Sequence, residues 1–117
     1  FYVLSATEID KLSCSDFDLV ILKGVFHHIS DYQVREFLKK ISTKLSQNGI
    51  VVTVDPTYIK GRFIANFLVS QDRGLHVRTP MQLSKITSRY LKTIECNVVE
   101  QNIPPFQRVL MKLGANV

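Results

Sequence analysis

The stretch Phe17–Asp31, FDLVILKGVFHHISD, decides the fold of this chain. It opens with an apolar run, Phe17–Leu22, that shows no regular polar alternation. Such a run favours a strand buried on both faces, as in a parallel sheet covered by helices. In these sheets ligands bind in the crevice beyond the carboxyl ends of the strands. The stretch therefore predicts an α/β architecture, and it places the candidate chemistry at Lys23, Gly24, His27 and His28.

The residues after this strand predict a crossover helix and a second parallel strand. Ser30 and Gln33 form the pattern of a capping box, and apolar residues recur at helical spacing after it. Asn48-Gly49 is predicted to end the helix with a left-handed cap. Ile50–Val54 then reads as a buried, β-branched strand. A strand, a helix and a strand joined by short links predict a right-handed crossover and a parallel pair.

The other segments predict further elements of the same fold. They are a strand at Phe1–Ser5, a short helix within Phe63–Val69, a helix from Thr79-Pro80 to about Tyr90, and strands at Thr93–Gln101 and Phe106–Leu113. Because only a short turn separates the last two strands, they must be antiparallel. The predicted fold class is thus α/β, with parallel strands and crossover helices followed by an antiparallel hairpin.

Length and composition predict one globular domain over residues 1–117. The chain has 117 residues, of which 45% are hydrophobic and 21% are charged, and this suits a single modest core. No apolar run approaches the roughly 20 residues that cross a bilayer, so no membrane partner is expected. The two cysteines, Cys14 and Cys96, lie far apart and outside metal-binding spacings, which predicts free thiols in the cytoplasm and no metal site.

The net charge of +5 is concentrated between Lys60 and Lys92, where Asp72 is the sole acidic residue. Such a segment suits nucleic acid, an acidic membrane surface or an anionic small molecule, and it also suits plain solvated surface. The chain lacks the aromatic pattern of RNA-binding strands and the spacing of zinc fingers, so nucleic acid is not the expected partner.

Taken together, FDLVILKGVFHHISD, a helix, NGIVVTVDP and a terminal hairpin resemble the C-terminal half of a class I S-adenosylmethionine-dependent methyltransferase of the small-molecule type. The segment FLVSQDRGLHVRTP also resembles an insert found in a bacterial subset of these enzymes. The resemblance implies a partial Rossmann-like fold, S-adenosylmethionine as cofactor and a small-molecule substrate. The glycine-rich loop (E/D-x-G-x-G) and the acidic residue that holds the cofactor ribose are absent. The chain is therefore either a fragment of a longer enzyme or a degenerate relative, and alone it is expected to bind the cofactor weakly or not at all.

The resemblance also implies the cofactor-binding residues. It places Ala6 and Thr7 near the adenine, and it places Lys23, Gly24 and Val25 along the methionine moiety. Gly24 suits a close approach of the backbone, since glycine lacks a Cβ atom. A turn-forming glycine after a strand is the simpler interpretation of the same residue.

His28 and Asp55 are the candidate catalytic residues. His28 is the preferred acid or base, because an imidazole changes charge near neutral pH. Its neighbour His27 ranks lower, since its side chain is expected to point elsewhere. Asp55 ends a strand beside the crevice and is expected to orient a substrate hydroxyl or amine. The structural alternatives are a histidine that packs under the following helix and an aspartate that starts a turn before Pro56.

A basic insert supplies the candidate substrate-binding residues, which are Tyr58, Arg62, Arg73, His76 and Arg78. Several guanidinium groups in one lid favour an anionic substrate, because arginine binds carboxylate or phosphate with two parallel hydrogen bonds. In the alternative interpretation, Asp72 pairs with Arg73 or Arg78 and holds the shape of the loop.

Two other function classes stay open at the level of sequence. One is a basic module that binds nucleic acid, and the other is a non-catalytic interaction domain. Without a first half of the sheet, the strand Phe17–Leu22 presents an unpaired edge. Self-association through this edge is therefore expected.

Overall fold

A computed structural model describes residues 9, 11, 13–71 and 75–116 of the chain. In this part of the chain the strands are β1 (Phe17–Lys23), β2 (Leu45–Pro56), β3 (Leu91–Asn102) and β4 (Pro105–Ala115). The helices are α1 (Asp31–Lys44), α2 (Phe63–Ser70) and α3 (Pro80–Thr87), and Phe26–His28 forms one turn of 3₁₀-helix. The strand predicted at Phe1–Ser5 lies outside the described residues.

The strands form a four-stranded mixed sheet in the order β1-β2-β4-β3 within the described residues. β1 and β2 pair in parallel, which confirms the crossover through α1. β4 pairs antiparallel with both β2 and β3, which confirms the hairpin. In this order β4 lies between β2 and β3. The second strand of the hairpin therefore pairs with β2, and the first strand, β3, lies at the edge of the described sheet.

The start of α1 follows from its capping box. The Ser30 hydroxyl accepts the backbone N–H of Gln33 at 3.2 Å, and the Gln33 side chain accepts the Ser30 N–H at 2.9 Å. These bonds satisfy two of the N–H groups that a helix start leaves without partners. The apolar stripe then turns inward and buries Val34, Phe37, Leu38 and Ile41.

The predicted end of α1 at Asn48-Gly49 is wrong. The helix ends at Lys44, and Asn48 and Gly49 lie inside β2. A Cβ atom on Gly49 would lie 2.6 Å from the Phe17 carbonyl oxygen and 2.6 Å from the Leu45 side chain. The glycine therefore allows β1 and β2 to approach closely, and it does not cap the helix.

The helix that begins at Thr79 also ends earlier than predicted. α3 stops at Thr87, and the Tyr90 N–H donates to the Thr87 carbonyl in the turn that leads into β3. Its start has the same capping box as α1, formed here by Thr79 and Gln82. The short α2 confirms the helix predicted from the apolar patch after Lys60.

The core lies between the helices and one face of the sheet. It joins apolar side chains of α1 and α3 to those of β2 and β4, including Val51, Met111 and Leu113. The expectation that β1 is buried on both faces is wrong for the described structure, because Leu19 is 57% exposed and Ile21 is 66% exposed. The described helices cover the face that carries Leu22, while Leu19 and Ile21 point to the other. No described helix has the length and apolar character needed to cross a membrane.

Candidate functional site

The candidate site lies where β1 and β2 end side by side. Because the two strands are parallel, their carboxyl ends meet at one edge of the sheet. Gly24 follows β1 with φ of +65°, and its N–H donates to the Val54 carbonyl at 2.7 Å. This left-handed conformation favours glycine, since a Cβ atom would be strained there. Gly24 thus turns the chain from β1 into the 3₁₀ turn while staying bonded to β2.

The 3₁₀ turn brings His27 onto Asp55. The Nδ1 atom of His27 lies 3.1 Å from Oδ1 of Asp55, and the backbone N–H of His27 donates to the same oxygen at 3.3 Å. The two residues are 4% and 3% exposed. A ring that donates through Nδ1 keeps Nε2 as its acceptor. We call these two residues the His27–Asp55 pair.

Burial affects the proton affinity of the Asp55 carboxyl. Desolvation by burial raises the pKa of the Asp55 carboxyl above its usual value, and the hydrogen bonds from His27 act against that rise. The second carboxyl oxygen, Oδ2, is buried and has no hydrogen-bond partner among the described residues. A carboxyl group with a raised pKa next to an imidazole can hold or release a proton, as catalytic groups do.

The two adjacent histidines differ in their exposure and in their contacts. His28, the preferred candidate from sequence, is exposed, and its ring lies against that of His27 with 4.0 Å between centroids and a 39° tilt. His27, which ranked lower, is the histidine that contacts Asp55. Sequence reasoning missed this because the direction of each side chain depends on the 3₁₀ turn, and the HH doublet itself does not reveal that turn.

Arg78 lies behind the site and joins three parts of the chain. It is 8% exposed, and its guanidinium donates to the Asp31 carboxylate at 2.7 Å. It also donates to the backbone carbonyls of Phe26 at 2.7 Å and Ile29 at 2.8 Å. Each guanidinium nitrogen therefore has a protein partner. Asp31 is the described carboxylate beside Arg78, whereas Asp72 lies outside the described residues.

The other candidate substrate residues do not form one cluster. Arg62 donates to the Gln107 side chain and to the Gln101 carbonyl, both at 3.1 Å, which joins it to the β3–β4 hairpin. Tyr58 is half-buried just after β2. The His76 backbone N–H donates to the His27 carbonyl at 3.0 Å, so His76 does lie beside the His27–Asp55 pair.

Three of the predicted cofactor-binding residues lie next to one another at the end of β1. Gly24 has a left-handed φ, Lys23 is exposed and Val25 is half-buried. Ala6, Thr7 and Arg73 lie outside the described residues. Within the described part of the chain, no three His, Cys, Asp or Glu side chains are grouped so that they could hold a metal ion.

Comparison with known proteins identifies the fold. No protein-family model matches the sequence, and no curated protein matches it. Among solved structures, LepI in complex with S-adenosylmethionine superposes with a TM-score of 0.70 at 14% identity, over 90% of this chain and 28% of LepI. Human N-acetylserotonin methyltransferase, also in complex with S-adenosylmethionine, gives 0.63 at 18% identity over 91% of this chain and 32% of its own.

The match covers a larger share of a third, shorter structure. An S-adenosylmethionine-dependent methyltransferase from Methanosarcina mazei superposes with a TM-score of 0.71 at 13% identity, over 97% of this chain and 66% of its own. The chain thus spans between 28 and 66% of the length of these three structures. Its fold is that of part of a methyltransferase domain, which confirms the expected architecture.

Proposed function

We propose that this chain is part of an enzyme that transfers a methyl group from S-adenosylmethionine to a small, anionic molecule. The observation that supports this most directly is the buried His27–Asp55 pair, which lies at the shared carboxyl end of two parallel strands in a methyltransferase fold. A fold alone hosts many activities, so the argument depends on the site. The chain spans only part of the matching structures, and the proposal therefore concerns the whole protein.

The proposed chemistry needs alignment and one proton acceptor. S-adenosylmethionine, when bound, supplies an electrophilic methyl carbon for an in-line displacement. Alignment of the reacting groups contributes up to ~10 kcal/mol to such steps. A base is required only when the acceptor atom starts protonated, and positioned bases contribute about 10²–10⁴-fold. Lys23, Gly24 and Val25 are proposed to line the methionine end of the cofactor.

We assign the base to Nε2 of His27. Asp55 Oδ1 accepts the His27 backbone N–H and lies in contact with Nδ1, and an ionised Asp55 would select the ring tautomer that carries its proton on Nδ1. The paired ring could then take a proton from a hydroxyl or an amine. His28 is the alternative base because it is exposed and in ring contact with His27. The anionic substrate is proposed from the basic insert that contains Tyr58, Arg62, Arg73, His76 and Arg78.

Cofactor titration tests the proposal. We expect full-length protein to bind S-adenosylmethionine with micromolar affinity in calorimetry. We expect the 117-residue chain to bind it more weakly than about 100 µM, because it lacks the sequence pattern for the glycine-rich loop. Micromolar affinity of the short chain would refute the expectation for the fragment. Full-length protein that shows no affinity would refute the function.

Two glycines provide a matched comparison in the same titration. Gly24 and Gly61 both have positive φ, +65° and +90°. An alanine therefore strains the backbone at either position. In the full-length protein, Gly24→Ala should weaken cofactor binding about tenfold, which is about 1.4 kcal/mol. Gly61→Ala, remote in sequence from the proposed contacts, should change it less than about twofold. Equal losses would show that Gly24 acts through stability alone.

Histidine variants test the assignment of the base. In the full-length enzyme, His27→Gln should lower the rate of methyl transfer about 100-fold or more, the usual loss for a general base. His28→Ala should leave the rate within about twofold. The reverse pattern would assign the base to His28.

We also propose that the 117-residue chain self-associates and that the protein works in the cytoplasm. Among the described strands, β1 pairs with β2 alone and leaves one edge without a partner strand. Leu19 and Ile21 on this strand are exposed apolar side chains, and unpaired edges of this kind favour pairing between chains. The two exposed free cysteines support a reducing compartment.

A further inference from the structure

A second concave surface lies on the helical layer, between α1 and α3. It encloses a volume of about 640 Å³, which is within the usual range of small-molecule sites. Arg35 of α1, Lys85 of α3 and Arg89 just after α3 line it, and Leu75 and Val77 contribute apolar walls. We call this surface the α1–α3 groove.

The groove carries positive charge that the described structure leaves unneutralised. Arg35, Lys85 and Arg89 form no ion pair with any described residue. Asp31 is the acidic residue of the lining, and its carboxylate is already bonded to Arg78. Three cations that share a concave surface without counter-charges favour an anion.

Arg35 provides a second, independent indication. Its Nε atom is buried and has no hydrogen-bond partner among the described residues. A buried donor without a partner destabilises the folded chain, and an anionic oxygen from a ligand would supply the missing acceptor. The guanidinium also binds phosphate and carboxylate oxygens with defined geometry.

The charges come together through the fold. Lys85 lies on α3 and Arg89 lies in the turn that follows it, and both side chains line the groove. Arg35 comes from α1, outside the basic segment of the sequence. The packing of α1 against α3 brings it to the same surface. The convergence of charges from two elements distinguishes the groove from a solvated charge run along one helix.

The shape and lining of the groove indicate the class of ligand. No Phe, Tyr or Trp side chain lines it within the described residues, and the ring of His76 is shared with the cleft at the His27–Asp55 pair, so the groove lacks the series of rings on which successive nucleic-acid bases stack. We propose that the α1–α3 groove binds a small organic anion with two or more phosphate or carboxylate groups. His76 and Arg78 line both the groove and the cleft at the His27–Asp55 pair, so they separate the two sites. The proposal uses no property of the methyl-transfer reaction.

The test uses two probes and two matched double variants of the 117-residue chain. Pyrophosphate and citrate are titrated by calorimetry at about 50 mM salt, where surface charges are weakly screened. Lys85→Gln/Arg89→Gln removes two cations of the groove. Lys60→Gln/Arg108→Gln removes one lysine and one arginine, both exposed, from outside it. Circular dichroism checks that both variants keep the fold.

We expect one of the probes to bind the native chain with Kd below about 1 mM. The groove variant should lose about tenfold or more in affinity, and the control variant should lose less than about twofold. Equal losses in both variants would show that net charge alone attracts the probes and would overturn the proposal. Absence of binding by both probes would overturn it as well. Single-stranded RNA bound about 100-fold more tightly than pyrophosphate would replace it with a nucleic-acid interface.

A thermal measurement gives a second reading of the same binding. A ligand that binds only the folded state stabilises it in proportion to the logarithm of its concentration. The probe that binds in calorimetry should therefore raise the melting temperature of the native chain and the control variant but not of the groove variant. The same rise in all three proteins would contradict a site in the groove.

Discussion

Replacement of Arg78 by methionine tests whether the buried guanidinium of this residue stabilises the fold at the candidate site. The side chain joins the Phe26 and Ile29 carbonyls to Asp31 through one buried guanidinium. Methionine keeps the apolar stem of the side chain and removes all three hydrogen bonds. We expect the variant to fold with substantially lower stability than the native chain.

The contacts set the size of the loss. Each hydrogen bond from a charged donor to a carbonyl contributes about 1.5 kcal/mol at the lower end of its range, which gives about 3 kcal/mol for the two carbonyls. The Asp31 side chain is 56% exposed, so its ion pair with Arg78 is screened and contributes less than about 1 kcal/mol. The expected loss of about 3–4 kcal/mol is a large share of the roughly 5–15 kcal/mol that stabilises a typical domain.

Urea denaturation measures this loss. With a slope of about 1.5 kcal/mol per molar urea, the midpoint should fall by about 2–3 M. Arg89→Met is the control, because Arg89 is exposed and has no ion pair with the described residues. It should change the stability by less than about 0.5 kcal/mol. A loss below about 1 kcal/mol for Arg78→Met, with an unchanged slope, would refute the structural role.

Two further predictions concern Asp55 and the edge of the sheet. Because burial raises the Asp55 pKa, the stability that this group contributes is present below about pH 3.8 and is lost as pH rises through the folded pKa. Asp55→Asn should therefore gain stability relative to the native chain in urea denaturation as pH rises from about 3.8 through the raised pKa of folded Asp55, and parallel pH profiles would contradict this. Leu19→Lys/Ile21→Lys should shift the 117-residue chain towards monomer in light scattering at tens of micromolar, whereas Met81→Lys, an exposed site on α3, should not. A native chain that is already monomeric would end the self-association proposal.

Local signals explain what the sequence predicted correctly. A capping box is a contact between residues three apart, so Ser30 and Gln33 identify the start of α1 without any knowledge of the rest of the fold. The β1 run and the short final turn are equally local. The short turn also excludes a parallel crossover on geometric grounds. The parallel pair and the hairpin therefore followed from neighbouring residues alone.

The errors arose where a residue's role depends on a distant partner. Gly49 looked like a helix cap, but its small size serves the contact with the Phe17 carbonyl on another strand. Leu19 and Ile21 looked buried, because an apolar run shows that a face is suited to burial and does not show what covers it. The choice between His27 and His28 depended on Asp55, which is 28 residues from His27 in the sequence.

Arg78 affects both the stability of the fold and the position of His27 in the candidate site. Its carbonyl partners, Phe26 and Ile29, flank the two histidines, so its hydrogen bonds hold the turn that presents His27 to Asp55. A loss of activity in an Arg78 variant would therefore reflect a displaced His27 as much as a lost substrate contact. An arginine with a protein partner at each nitrogen can bind a substrate anion only if it gives up one of these bonds, at a cost of about 1.5–3 kcal/mol. The cations without such partners, at the α1–α3 groove, meet no such cost, and anion recognition is therefore expected there first.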